Sequence, residues 1–287
     1  MASKDRDRIR QLREEANALR KKEEARKRRS RMFAQLGIVA GAVVVIAAIV
    51  LLVVMGPKWF SNQVTPSAEG EVELTNSAGD AVSLPIRVEE DGGVVVGSDD
   101  APAKLDYYFD FSCPACQDYH SAMESSYEQV IADGDAQVTY HMIRFVQDYG
   151  QYAGSATAGV ISSDPSLFYT VMNGIFSVPA ETQVGWGYSD YASYVQTLGF
   201  TDEEVIQNIA DGNYGGWISD NTERAREDGI SGTPSVGVNG TLLETVPASL
   251  DELLDAIGAE PAATTDSTTE PTATAESTTE PTATTGN

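Results

Sequence analysis

The sequence predicts an α/β domain with a helical insertion, preceded by one transmembrane helix. Three observations lead there. An aromatic strand pattern, Lys104–Phe111, runs through Cys113-Pro114-Ala115-Cys116 into a helix and a second strand. A predominantly helical stretch, about 149–228, separates this unit from a late hairpin. No residue from Met32 to Pro57 is charged.

Along the chain, residues 1–31 hold 13 Lys/Arg against 6 Asp/Glu, whereas the whole chain of 287 residues carries a formal charge of −24. Such asymmetry points to a membrane or nucleic-acid contact at the basic end. Nucleic acid is excluded for the main body, because phosphate binding needs clustered Lys/Arg and the acidic remainder has none. Residues 36–56 supply 21 apolar or small residues, the length that crosses a hydrocarbon core of about 30 Å. The run is too long, and starts too far from the N-terminus, for a cleaved signal peptide, so an uncleaved signal anchor is expected. The positive-inside rule then places 1–31 in the cytoplasm as a basic segment in contact with anionic membrane lipid, and everything after the span outside. Trp59 and Phe60 suit the outer interfacial belt.

Residues 57–93 read as a mostly polar extracytoplasmic linker containing one hairpin, Glu71–Thr75 and Ala81–Arg87 around Asn76–Asp80. The domain proper is expected over 94–258. In it, Lys104–Phe111 and Gln137–Val146 read as strands and Cys116–Ala132 as a helix. Thr201 with Glu204 forms a capping box for a helix over 202–211. Ser235–Val238 and Thr241–Glu244 flank Asn239-Gly240, the strongest short-range hairpin signal. Ser249 with Glu252 caps a last helix ending at Gly258. For Trp186 and Trp217 in the insertion, core packing is the default. The tail, 259–287, holds 11 Thr and 3 Pro and no aliphatic residue larger than Ala. It cannot bury a core and reads as a disordered tail, suited to O-glycosylation or to threading a cell wall.

The chemistry sits at Cys113 and Cys116, the only cysteines. At a helix N-terminus, unpaired amides and the helix dipole stabilise a thiolate at Cys113, while Cys116 stands one turn in, placed to attack a mixed disulfide. Pro114 fits the first turn, where a missing N–H is no loss. A bare CxxC leaves a metal site and a structural disulfide open beside a catalytic dithiol. His120 and His141 nominally complete a two-Cys, two-His set, but their spacing is wrong for zinc fingers. No metal and no cofactor are expected. His120 reads as a partly exposed helix residue and His141 as structural.

DYYFDFSCPAC, the helical insertion and GISGTPSVGVNG together resemble the membrane-anchored DsbA-like thiol-disulfide oxidoreductases of the thioredoxin superfamily. The resemblance covers roughly 94–258 and implies a thioredoxin-like fold. It also implies a cis bond between Thr233 and Pro234, facing the cysteines and binding substrate backbone as an extended strand. Secreted proteins with free thiols would be the substrates, and a membrane reoxidase of the DsbB or vitamin K epoxide reductase-like type the redox partner. Where the best-known oxidases have His, this chain has Ala115, which implies a less depressed Cys113 pKa and a potential midway between thioredoxin and DsbA. Tyr107 occupies the strand position where many relatives carry an acid, and strand alternation turns Asp106 to the opposite face. Two alternatives stay open: a reductase or isomerase of the same fold, and a non-catalytic wall-threading surface protein whose disulfide is only a staple.

Overall fold

A computed structural model of the chain describes residues 45–46, 63–89 and 92–259. The chain divides into two units, at Thr65/Pro66. In the first, Val45 and Ile46 are helical and exposed. The rest of the expected span, the basic segment, Trp59 and Phe60, and the Thr/Pro tail beyond Ala259 lie outside the described residues. Among the described residues no helix is long and apolar enough to cross a membrane.

The second unit is built on a seven-stranded sheet. Its strands are β1 (Ala68–Thr75), β2 (Ala81–Val88), β3 (Val94–Val96), β4 (Ala103–Phe109), β5 (Ala136–Met142), β6 (Ser235–Val238) and β7 (Thr241–Leu242). Their order in the sheet is β1-β2-β3-β5-β4-β6-β7. Only β4 and β5 run parallel, as a strand–helix–strand crossover requires. That crossover helix is α1 (Pro114–Ala132). The hairpin expected in the linker forms, and its second strand pairs with β3, so it extends the sheet.

Register explains what lies under α1. Leu105, Tyr107 and Phe109 of β4 pair with Val138, Tyr140 and Met142 of β5, and all six are almost fully buried. Side chains of alternate residues share a face, so this row forms one floor. Asp106, Tyr108 and His141 face the other way, where Tyr108 packs with Ile143, Ala225 and Ile230 and stacks on His141 at 4.2 Å.

The insertion comprises α2 (Asp148–Ser163), a 3-10 turn (Pro165–Leu167), α3 (Phe168–Ser177), α4 (Ala180–Gln183), α5 (Tyr188–Thr197), α6 (Glu203–Ala210) and α7 (Gly215–Glu227). Trp217 is buried and donates to the Glu89 carbonyl, 3.3 Å away; Trp186 packs on Tyr191 and Tyr194. One cap differs from expectation. The N-cap of α6 is Asp202, which accepts from the amides of Glu204 and Val205; Thr201 stands one residue too early, and a carboxylate next to the helix start also complements its dipole. The last helix, α8 (Leu250–Ile257), is capped by Ser249 and ends at Gly258 in the left-handed region, as expected. At the tip of the β6–β7 hairpin, Asn239 and Gly240 both take positive φ, 50° and 78°, as a primed turn demands.

The second strand is shorter than expected. It ends at Met142: Ile143 still donates to the Phe109 carbonyl at 2.9 Å, but the Arg144 amide goes to Thr222 Oγ1 at 2.9 Å and those of Phe145 and Val146 to Asp110 Oδ2 at 2.7 and 2.9 Å.

Candidate active site

Cys113 is the N-cap residue of α1, with extended backbone and Pro114 in the first turn. Its sulfur makes no side-chain cap hydrogen bond. Both cysteines are free thiols. Cys113 is 8% exposed and Cys116 0%, while Pro114 and Ala115 between them are exposed. The motif therefore presents a rim of two exposed residues over one nearly buried cysteine and one fully buried cysteine.

The second motif lies against Cys113. Thr233-Pro234 is cis, as the resemblance implied, and the Cys113 thiol donates to the Thr233 carbonyl oxygen at 3.3 Å. Thr233 Oγ1 is buried and has no partner among the described residues. Electrostatics separates the two sulfurs. The Cys113 pKa is lowered from 9.0 to about 5, first by the Cys116 thiol donating to it, against the cost of burial, and then by Thr233 and the first-turn amides of Cys116 and Ala115. The Cys116 pKa moves far up, because its proton is held by Cys113 and because it is buried. At neutral pH one sulfur is thus a thiolate, the form that attacks and leaves in disulfide exchange, and the other is a thiol.

Asp110, three residues before Cys113, holds the loop in place. It is 0% exposed. Its Oδ1 accepts from the Ser112 amide and hydroxyl at 2.7 and 2.6 Å, and its Oδ2 takes the Phe145 and Val146 amides. Ser112 in turn accepts from the Gln147 amide at 2.9 Å. Sequence reasoning missed Asp110. The signal was there: an acid followed two residues later by Ser, at the end of an apolar strand, is an Asx-turn pattern.

The remaining expectations resolve as follows. Asp106 does turn to the opposite face, where its carboxylate meets His141 Nε2 at 2.9 Å. His120, expected to be partly exposed, is buried, stacked on Phe176 and hydrogen-bonded to Asn173 Oδ1 at 2.9 Å, because α3 folds down onto that face of α1. His120 and His141 lie on opposite sides of the sheet, so the nominal two-Cys, two-His set does not converge.

Residues 89–258 match the family described as Thioredoxin. This chain belongs to the thioredoxin family. Among proteins similar to this thioredoxin-family chain is disulfide bond formation protein D of Bacillus subtilis, 24% identical over 65% of this chain and 84% of that one. Another is the serine/threonine-protein kinase PknE of Mycobacterium tuberculosis, 29% identical over 55% of this chain. The chain spans only 30% of PknE, so that likeness concerns one segment of a longer protein. Among solved structures, oxidised BdbD of Bacillus subtilis superimposes with a TM-score of 0.51 at 21% identity, covering 57% of this chain and 90% of that one. That likeness is one of fold.

Proposed function

We propose that this thioredoxin-family protein is a thiol-disulfide oxidoreductase that works as an oxidase, passing a Cys113–Cys116 disulfide to secreted or surface proteins outside the cytoplasm. The observation that carries the direction is the place of the Cys113 sulfur at the N-terminus of α1, beside Cys116 and Thr233, which holds its pKa down to about 5. A stabilised thiolate stabilises the reduced pair, and a pair stable when reduced is oxidising. The value falls between thioredoxin at about 7 and DsbA at about 3.5, in keeping with Ala115 in place of His. The named relative, a disulfide bond formation protein, supports the same class of reaction.

In the cycle, a substrate thiolate attacks Cys113 Sγ of the disulfide, and the Cys113–Cys116 bond breaks. Cys116 leaves as a thiolate and takes up one proton. A second substrate thiolate then attacks the substrate sulfur of the mixed disulfide and expels Cys113, a good leaving group because its thiolate is stabilised. Two electrons pass from the substrate dithiol to the cysteine pair. The half-buried Thr233-Pro234 segment, next to exposed Ser231 and Gly232, offers backbone to an extended substrate segment, a recognition that reads no side chains. Turnover requires a reoxidase, for which a membrane protein of the DsbB or vitamin K epoxide reductase-like type is the fitting partner. The uncharged stretch 36–56 with its basic flank supports a single-pass anchor with the N-terminus in the cytoplasm.

The oxidised full-length chain should restore activity to a reduced, unfolded secreted enzyme faster than a glutathione buffer does, and Cys113→Ser should not. No gain over buffer would overturn the oxidase reading. A reduction potential near −270 mV, that of thioredoxin, would assign the chain to reduction instead.

A further inference from the structure

The sheet face opposite α1 carries polar side chains that the thiol chemistry does not use, Asp106 of β4 and His141 of β5 among them. Beside them lies a cavity of about 60 Å³ whose lining includes Gly92, Tyr108, His141, Asn221, Arg224 and Asp228. Asn221 is 4% exposed, yet its Nδ2 has no partner among the described residues. Arg224 donates from Nη2 to Asn221 Oδ1 at 2.7 Å, and that bond fixes which end of the amide is left as the donor. A buried amide donor without an acceptor costs free energy. Among the described residues Arg224 forms no ion pair either. Gly92, at φ 107°, adds no side chain to fill the space; a Cβ there would collide with Asn221 Oδ1 and stand 2.9 Å from Arg224 Nη2. A neutral donor and a guanidinium therefore border one small cavity, the arrangement that recognises a carboxylate. At roughly 10–15 Å³ for each water, the space admits a carboxylate group.

Tyr108 and Asp228 also line a second, wider cavity of about 280 Å³, with Asp106, Ile230 and Leu242. The two cavities thus share a wall, and charge is divided between them. Arg224 borders the first, Asp106 the second and Asp228 both. Asp106 gives Oδ1 to His141 Nε2 at 2.9 Å, which leaves its Oδ2. Burial first, and then the charges of Asp106 and Asp228, raise the Tyr108 pKa to about 12, so its hydroxyl stays protonated at the junction. Two carboxylates stand against one guanidinium. A simple anion would be repelled by the acids, and a simple cation would leave Asn221 Nδ2 and Arg224 without an acceptor. The complement is one carboxylate with two ammonium groups on the same small molecule.

We propose that the two cavities together bind a free basic α-amino acid. Its carboxylate sits in the smaller cavity, on Arg224 and Asn221 Nδ2. Its α-ammonium meets Asp228, which borders both spaces, and its side-chain ammonium meets Asp106 in the wider one. The aliphatic stem lies along Ile230, 4% exposed, and Leu242, 43% exposed, as long cationic side chains lie on apolar surface while their heads meet charge. No bond is made or broken at this site. It lies on the other side of the sheet from the helix that carries the cysteines, and it goes beyond the disulfide-exchange reading without depending on it.

Calorimetric titration of the full-length chain with three compounds tests it: L-lysine, cadaverine, which is lysine without its carboxylate, and L-norleucine, which lacks the side-chain ammonium. L-Lysine should bind at one site, and each analogue about tenfold or more weaker, in the range of one charged hydrogen bond lost. Arg224→Gln should weaken L-lysine by a similar factor and leave cadaverine unchanged. No binding of L-lysine at millimolar concentration overturns the proposal. So does an analogue that binds as tightly as L-lysine; for cadaverine that result marks an acidic surface that holds any cation. L-Lysine affinity unaltered by Arg224→Gln overturns it as well. Asp228 is exposed, so if Arg224→Gln does not fold, Asp228→Asn decides: a similar loss of L-lysine affinity supports the site and an unchanged affinity overturns it. A wrong oxidase reading would show in the refolding assay and the potential and leave these affinities untouched.

Discussion

The Cys113 sulfur lies 3.3 Å from the backbone carbonyl of Thr233, 120 residues later in the chain. A carbonyl oxygen accepts from the thiol but offers nothing to a thiolate. On ionisation the sulfur is stabilised by the Cys116 thiol and the first-turn amides, and the Thr233 hydroxyl, unpartnered beside the thiol form, becomes free to turn to it. Thr233→Val keeps the carbonyl and deletes the hydroxyl, so the Cys113 pKa should rise above about 5, read from the pH dependence of alkylation.

Alkylation of the reduced chain should titrate near pH 5 and report Cys113, because Cys116 is buried and its pKa is far higher. The largest contribution comes from the Cys116 thiol, so Cys116→Ala should shift the midpoint upward.

The same shift couples to folding. The folded Cys113 pKa, about 5, lies below its ordinary value of 9.0, so between the two the unfolded chain binds more protons and stability rises with pH. Measured against Cys113→Ala, the reduced chain should gain stability as pH rises from about 5 to about 9. It should show no such gain below pH 5. Denaturant titrations across that range, under reducing conditions, measure it.

Cys116→Ala should also trap substrates. With no second thiol to resolve it, the mixed disulfide on Cys113 accumulates and is seen as higher bands on a non-reducing gel. The bands should vanish when Cys113 is changed to Ser as well.

Gly150 of α2 packs against the Asp110 carboxylate. A Cβ there would collide with Asp110 Oδ1 and stand 2.7 Å from Ser112 Oγ, neither of which has room to give. Gly150→Ala should cost about 2–4 kcal/mol through disruption of a buried hydrogen-bond network, measured by chemical denaturation. Asp110→Ala, which takes the acceptor from the amides of Ser112, Phe145 and Val146, should cost at least as much.

Legibility in the sequence followed the range of the interaction. The CxxC at a helix start, the Asn239-Gly240 turn and the Ser249 cap each depend on a few adjacent residues, and each formed where expected. The cap of α6 moved by one residue, to Asp202, because Thr201 and Asp202 both suit the position locally and only the final chain direction selects between them. The end of β5 was misjudged for a different reason: Phe145 and Val146 have strand-forming side chains, but their amides bond to Asp110, 35 and 36 residues earlier.

From sequence alone came the cysteine pair, the polarity of its helix and the strand–helix–strand unit that carries it, since backbone dipoles and side-chain periodicity act within a few residues. The tertiary structure alone decided the environment of each sulfur. Thr233 meets Cys113 through the pairing of β6 with β4, and Asp110 ties the loop through amides beyond β5. Desolvation and hydrogen-bond satisfaction depend on every group that closes around a site. Those groups come from distant parts of the chain, and no local pattern encodes their meeting.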